Sequence, residues 1–150
     1  MKKLDILNTK KIKEIIQLIE KQFGCKYSFD NMAVFMSPKN KIYIINKDMN
    51  RVEYDKLNIN SIGLYFGEIN RGSLRLTIEG SQIIGPFAKK GIIELNEKHT
   101  KQWMAGEDIE LDEDYPVEFY IIKNKLGDFL SSGKVKEKKL LNYVPKERRV

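Results

Sequence analysis

The sequence predicts an α+β fold in which one long helix packs on an antiparallel sheet and a smaller, mostly-β unit follows. Three observations predict it: a helical periodicity near the N-terminus, two β-rich hairpins directly after it, and a series of short β-rich runs toward the C-terminus. With 150 residues, of which 41% are hydrophobic, the chain is long and apolar enough to bury a core.

The long helix is predicted over residues 9–23. Its isoleucines recur at spacings of three and four between residues 12 and 19, with Lys, Glu and Gln between them, which places the apolar side chains on one face. Gly24 stands where a glycine commonly ends a helix.

Two hairpins are predicted next. Residues 33–37 and 41–46 are β-rich runs joined by a Pro-Lys-Asn gap, and residues 61–69 and 73–78 are joined at an Asn-Arg-Gly tip. Between the hairpins, residues 47–57 fit either a short helix or a loop.

The composition of the chain changes at about residues 72–80, which predicts a boundary between an N-terminal α/β domain, residues 1–72, and a C-terminal domain, residues 73–150. The C-terminal elements are expected in this order: a short helix or turn (79–91), a strand (91–95), a helix with Asn96 as its N-cap (96–105), and three strands (117–124, 128–136 and 140–144).

Several classes of protein are disfavoured by composition. No apolar run approaches the roughly 18 residues of a spanning helix, so no membrane partner is expected. The single cysteine, Cys25, cannot form an internal disulfide, which favours a reducing, cytoplasmic compartment.

Groups suited to catalysis are scarce. The one histidine, His99, is expected on a helix surface, and Cys25 is expected to be a partly buried structural residue, although the neighbouring Lys26 would favour a reactive thiolate. The sequence has no Cys/His spacing for a metal and no phosphate-binding glycine loop. A non-enzyme without metal or cofactor is therefore predicted.

Charge is distributed unevenly. The net charge is +6, and residues 134–150 alone contain seven Lys or Arg and two Glu, whereas residues 107–114 contain six acids and no base. Segregated charge creates a field that attracts a partner of opposite sign, and for a basic surface nucleic acid is such a partner.

The basic C-terminus combines cations with an aromatic residue. If the last two predicted strands pair, Lys134 and Lys136 project from one face, Lys138 and Lys139 occupy the turn, and Leu140 and Val144 dock the last strand into the core. Tyr143 could then stack on a base. Charge alone leaves two interpretations open, an RNA-binding surface or a solvated lysine-rich edge that prevents aggregation.

Four stretches of the second half carry a family resemblance: GSLRLTIEGSQIIGP, AKKGIIEL, MAGEDIEL, and a late hairpin leading to SSGKV. With them, residues from about 72 to 150 resemble a PUA domain, the RNA-binding pseudo-barrel of pseudouridine synthases and archaeosine transglycosylases. The final 30 residues, with the pattern Asn142-x-x-Pro145-Lys146, resemble the C-terminal RNA-binding segment of ribosomal-RNA cytosine methyltransferases.

The resemblance implies a PUA-like pseudo-barrel and, position by position, a set of RNA contacts. The methyltransferase core of that family, with its cysteine pair, has no counterpart here, so the resemblance implies a binding module without the enzyme. The implied contacts are Gly80, Ser81, Lys89, Lys90, Lys134, Lys136, Lys146, Arg148 and Arg149.

The function predicted from these observations is non-catalytic binding of structured RNA, such as ribosomal or transfer RNA, in ribosome biogenesis or RNA modification. The alternative is an adaptor that docks an RNA-modification enzyme or a ribosomal protein through the N-terminal sheet or the acidic run. Nuclease sensitivity of the bound complex distinguishes the two.

Overall fold

The structure is a computed structural model that describes residues 4–46 and 63–150. The stretch 47–57, expected to be a helix or a loop, therefore lies outside the described residues. The elements are β1 (Asp5–Ile6), α1 (Thr9–Phe23), β2 (Met32–Met36), β3 (Lys41–Asn46), β4 (Leu64–Asn70), β5 (Ser73–Leu76), α2 (Ile78–Ile84), β6 (Ile92–Glu94), α3 (Glu97–Met104), β7 (Ile109–Glu110), β8 (Glu118–Lys123), β9 (Phe129–Lys136) and β10 (Lys139–Asn142), with 3₁₀ turns at Gly85–Phe87 and Lys146–Arg148.

The first half is the predicted helix on an antiparallel sheet. In α1 the Asn8 side chain accepts a hydrogen bond from the Lys11 amide, and Gly24 ends the helix at φ 68°. Strands β1 to β5 form one sheet in chain order. Both predicted hairpins, β2–β3 and β4–β5, are present, so the sequence-based assignment is confirmed here.

One boundary differs from the expectation. The second hairpin strand was predicted to run to residue 78, but β5 ends at Leu76 and α2 begins at Ile78. Thr77 causes the change, because its hydroxyl accepts a hydrogen bond from the Gly80 amide and donates to the Tyr65 carbonyl, which makes it the N-cap of α2.

The second half is a curled five-stranded sheet with the order β6-β8-β9-β10-β7. Strand β6 pairs parallel to β8, and the other pairs are antiparallel. This architecture, with one antiparallel sheet and one curled sheet, confirms the α+β class with a PUA-like pseudo-barrel. The domain boundary near residue 72 stays a prediction.

Two main hydrophobic clusters support the sheets. The larger one joins α1 to the first sheet and also includes Ile84 of α2 and Ile121 of β8, so it connects both halves of the chain. The second cluster surrounds Trp103 of α3 and includes Leu140 and Val144, which confirms that these two residues dock the last strand into the core.

The aromatic residues Phe119 and Tyr120 of β8 are both buried, since Phe119 is 2% exposed and Tyr120 is 9% exposed. The two rings point to opposite faces of β8, as strand geometry requires, but both faces are covered. Tyr120 packs in the Trp103 cluster and Phe119 contacts the ring of Tyr143.

Candidate nucleic-acid interface

The hairpin β9–β10 brings the predicted cations together. Lys134 lies opposite Leu141 and Lys136 lies opposite Lys139, and directly opposite residues share a face of the sheet. We call this surface, with Lys134, Lys136 and Lys139, the cationic face. It is fixed by the backbone pairing of two strands.

The turn of this hairpin is shorter than expected. Lys138 and Lys139 were both predicted in the turn, but Lys139 is the first residue of β10 and pairs with Glu110 at 3.9 Å. Glu137 (φ 53°) and Lys138 (φ 61°) form the turn, with the positive φ angles of a type I′ connection that matches the strand twist. Lys138 is exposed at the tip.

Cations and aromatic rings alternate in a series that begins at Lys134 of the cationic face and continues beside it. The Lys134 ammonium lies 5.4 Å from the centre of the Phe119 ring, and this ring meets Tyr143 edge-to-face at 5.7 Å. The guanidinium carbon of Arg75 lies 5.1 Å from the centre of the Tyr143 ring. Tyr143 is 36% exposed, so one aromatic surface in this series is open to solvent.

Arg75 was not among the predicted contacts. It lies on β5, where its guanidinium donates to the Glu68 carboxylate at 2.5 Å. Burial raises the pKa of the nearby Tyr65 phenol, and the positive charge of Arg75 opposes that rise. The sequence pattern Leu74-Arg75-Leu76 could have predicted the position of Arg75. Because the two leucines are buried, the residue between them lies on the other face of the strand.

The C-terminal segment is ordered against the body of the protein. After Pro145 the chain forms the 3₁₀ turn, and the Val150 amide donates to the Met104 carbonyl at 2.8 Å. Arg148 pairs with Glu79 of α2 at 2.6 Å, and Arg149 Nε donates to the Val144 carbonyl at 3.1 Å. Both arginines therefore help to hold the segment in place, and both are exposed, as Lys146 is.

Asn142, the first residue of the Asn-x-x-Pro-Lys pattern, is a structural residue. Its amide nitrogen donates to the carbonyls of Trp103 and Glu107, and its side-chain oxygen accepts from the Val144 amide. Its backbone amide also donates to the Asp108 carboxylate. The pattern thus ties the last strand to the end of α3, which fixes the direction in which the C-terminal segment leaves.

The other predicted contacts lie elsewhere. Gly80 and Ser81 are buried in α2, where a Cβ at Gly80 would lie 2.1 Å from the Phe66 carbonyl oxygen. Lys89 and Lys90 are exposed at the end of α1, where both amides donate to the Phe23 carbonyl. The structure thus places Lys134 and Lys136 together on the hairpin, whereas Gly80 and Ser81 are buried.

Cys25 and His99 are the two residues considered for catalysis. Cys25 is 7% exposed, and burial raises the pKa of its thiol although the charge of Lys89 opposes the rise. The amide of His99 donates to the Asn96 side chain at the start of α3. Within the described ranges 4–46 and 63–150, no three His, Cys, Asp or Glu side chains are grouped closely enough to hold a metal ion.

A family comparison agrees with this geometry. Residues 90–150 match the model described as the methyltransferase RsmF PUA domain. Residues 90–150 of the chain are thus similar to a PUA domain. This part of the chain resembles the C-terminal domain of ribosomal-RNA methyltransferases, and this indicates RNA binding in a family of RNA-modification proteins.

The matched region is the PUA domain alone and includes no methyltransferase catalytic domain. No curated protein matches the chain. Among the described residues, no helix is both long and apolar enough to cross a membrane.

Proposed function

We propose that this protein is a non-catalytic RNA-binding protein that recognises structured RNA, with ribosomal RNA in ribosome biogenesis or modification as its target. The observation that carries the proposal is the cationic face, a group of lysines held by a paired hairpin and adjoined by the exposed Tyr143 ring. Fixed cations attract phosphates, and an exposed ring offers a surface for a base. A cytoplasmic location is part of the proposal.

The match to a PUA domain of a methyltransferase supports the choice of RNA over other polyanions. The location of the cations supports recognition of folded RNA, because lysines on a rigid sheet are held at fixed separations and can match the phosphate spacing of a helix. Shape and phosphate contacts dominate the recognition of double-stranded RNA.

The salt dependence of binding tests the proposal. If Lys134, Lys136, Lys138 and Lys146 each neutralise a phosphate, the logarithm of the association constant should fall with the logarithm of salt concentration at a slope of about −3. Replacing Lys136 and Lys138 with Ala should flatten this slope by about 1.5, because two ion contacts are lost. Fluorescence anisotropy with a labelled RNA hairpin measures both slopes.

A matched control is available on α1. Lys10 and Lys13 are also exposed, and they lie on the helix of the first half. The Lys10→Ala, Lys13→Ala variant has the same loss of net charge and should keep the original slope. Equal slopes for the two double variants would show that overall charge, and not the lysines of the β9–β10 hairpin, drives binding. A partner captured from cells that survives nuclease treatment would instead favour the adaptor function.

A further inference from the structure

Three charged side chains form a row across the second sheet. Lys136 of β9 lies opposite Lys139 of β10, and Lys139 lies opposite Glu110 of β7. Because directly opposite residues share a face of the sheet, all three side chains project from the same side. Strand β7 is the last in the order β6-β8-β9-β10-β7, so the row ends with a negative charge at the edge of the sheet.

Glu110 forms an ion pair with the lysine next to it. Its Oε1 atom lies 3.9 Å from the Nζ atom of Lys139. Among residues 4–46 and 63–150, no carboxylate lies within 4.0 Å of the ammonium groups of Lys134, Lys136 or Lys138. Lys139 is exposed, so the pairing with Glu110, and not burial, is what distinguishes it from the other lysines of the hairpin.

The backbone is anchored on both sides of Glu110. The Leu111 amide donates to the carbonyl of Lys138, in the turn of the hairpin, at 2.8 Å. On the other side, Ile109 is 1% exposed and packs in the second hydrophobic cluster. Movement of β7 away from β10 would break these contacts, so the Glu110 carboxylate stays beside Lys139.

Further carboxylates extend the negative charge along this edge. The run 107–114 contains no base, and all of its acidic residues are exposed. We call this set the acidic edge: Glu107, Asp108, Glu110, Asp112, Glu113 and Asp114. Neighbouring strands lie about 4.8 Å apart, so a phosphate bound at Lys139 would lie well within the Debye length of about 10 Å at 0.1 M salt. The acidic edge would therefore repel that phosphate.

The ion pair contributes little to the fold. The side chain of Glu110 is 81% exposed and that of Lys139 is 46% exposed, and exposed ion pairs have small effects on stability. Charged residues on an edge strand also prevent edge-to-edge aggregation, a role that would not alter the affinity for RNA. The two roles of Glu110 can therefore be separated by measuring RNA binding.

We infer that Glu110 is a specificity-determining residue that keeps Lys139 from binding RNA, and that the acidic edge limits the RNA contact surface at β7. The inference rests on the proposed function and deepens it, because it identifies the lysine of the cationic face that neutralises no phosphate. The RNA backbone contacts Lys134 and Lys136 and does not extend across β7.

The Glu110→Gln variant tests the inference, since it removes the charge and keeps the size of the side chain. The released Lys139 can then neutralise one more phosphate, so the slope of log association constant against log salt should steepen by about 0.8. At low salt the affinity for a labelled RNA hairpin should rise about fivefold, the Coulomb effect of one charge at about 4 Å in water. Fluorescence anisotropy measures both quantities.

The Lys139→Ala substitution, made in two backgrounds, shows whether Lys139 is kept from the RNA. In the unmodified protein it should leave the salt slope unchanged, because Lys139 neutralises no phosphate there. In the Glu110→Gln background it should reverse the added steepening of about 0.8, because the released contact is lost again. The non-additivity of the two substitutions measures their coupling.

A matched control is present at the opposite edge of the same sheet. Glu94 of β6 and Lys123 of β8 are also direct cross-strand partners, and the Oε1 and Nζ atoms of this pair lie 3.8 Å apart. Glu94→Gln changes the net charge by the same amount and releases a lysine in the same way. Its salt slope should equal that of the unmodified protein.

The contrary results are distinct. An unchanged slope for Glu110→Gln, or equal steepening for Glu94→Gln, would overturn the inference and leave RNA binding intact. A flatter slope for Lys139→Ala alone would also overturn it, because RNA would then contact Lys139 in spite of Glu110. If the unmodified protein did not bind the RNA hairpin, the proposed function itself would fail.

Discussion

The Trp103→Ala variant is expected to lose about 3–5 kcal/mol of unfolding free energy, the usual range for removal of a buried large aromatic side chain. Trp103 is fully buried, and its Nε1 donates to Ser131 Oγ at 2.8 Å. Its ring packs so closely on Gly133 that a Cβ there would lie 2.5 Å from the Cη2 atom. The substitution removes the centre of the cluster that supports β8, β9 and β10.

Urea denaturation followed by far-ultraviolet circular dichroism measures this loss. Trp103→Phe should lower the free energy of unfolding by less, because a ring stays in the site. This substitution removes part of the side-chain volume and the hydrogen bond to Ser131. Leu126→Ala is the control for truncation without burial, since Leu126 is 87% exposed, and it should change stability by no more than about 0.5 kcal/mol. A midpoint unchanged in Trp103→Ala would contradict the structure of this core.

Charge reversal on the cationic face should have a large effect on the affinity for RNA. The Lys134→Glu, Lys136→Glu variant should bind structured RNA about 100-fold more weakly at low salt, because two attractive contacts become repulsive. Neither side chain is buried, so the fold should be kept. Direct titration of labelled RNA hairpins measures the loss, and the melting curve of the variant checks its folding.

The matched variant is Lys10→Glu, Lys13→Glu on α1, which changes the net charge by the same amount. It should lose far less affinity, because those lysines act only through the long-range field, which salt screens. A similar loss for both variants would contradict a localised site.

Local patterns explain what could be predicted from the sequence. The bounds of α1 follow from its isoleucine spacing together with Asn8 and Gly24, which act within one turn of the helix. The hairpin β9–β10 follows from two β-rich runs with a short gap, and its pairing places Lys134 and Lys136 on one face as expected. These features depend on neighbours in the chain, which a sequence displays directly.

Long-range contacts explain what could not be predicted. The pairing of Arg148 with Glu79 joins residues 69 positions apart, and Asn142 bonds to carbonyls near the end of α3. Gly80 is an RNA contact implied by the resemblance, but it is buried where α2 packs against the Phe66 carbonyl. The contact of Arg75 with the Tyr143 ring depends on how β5 meets the C-terminal part of the chain, which no periodicity or turn signal specifies.

Footprinting of lysines with an acylating reagent, in the presence and absence of a structured RNA, shows which lysines the RNA covers. We expect RNA to protect Lys134, Lys136, Lys138 and Lys146, while Lys10 and Lys13 react at unchanged rates. Mass spectrometry of the digested protein gives the rate at each position. Protection of the lysines of α1 with undiminished reaction at the hairpin would contradict RNA binding by the β9–β10 hairpin.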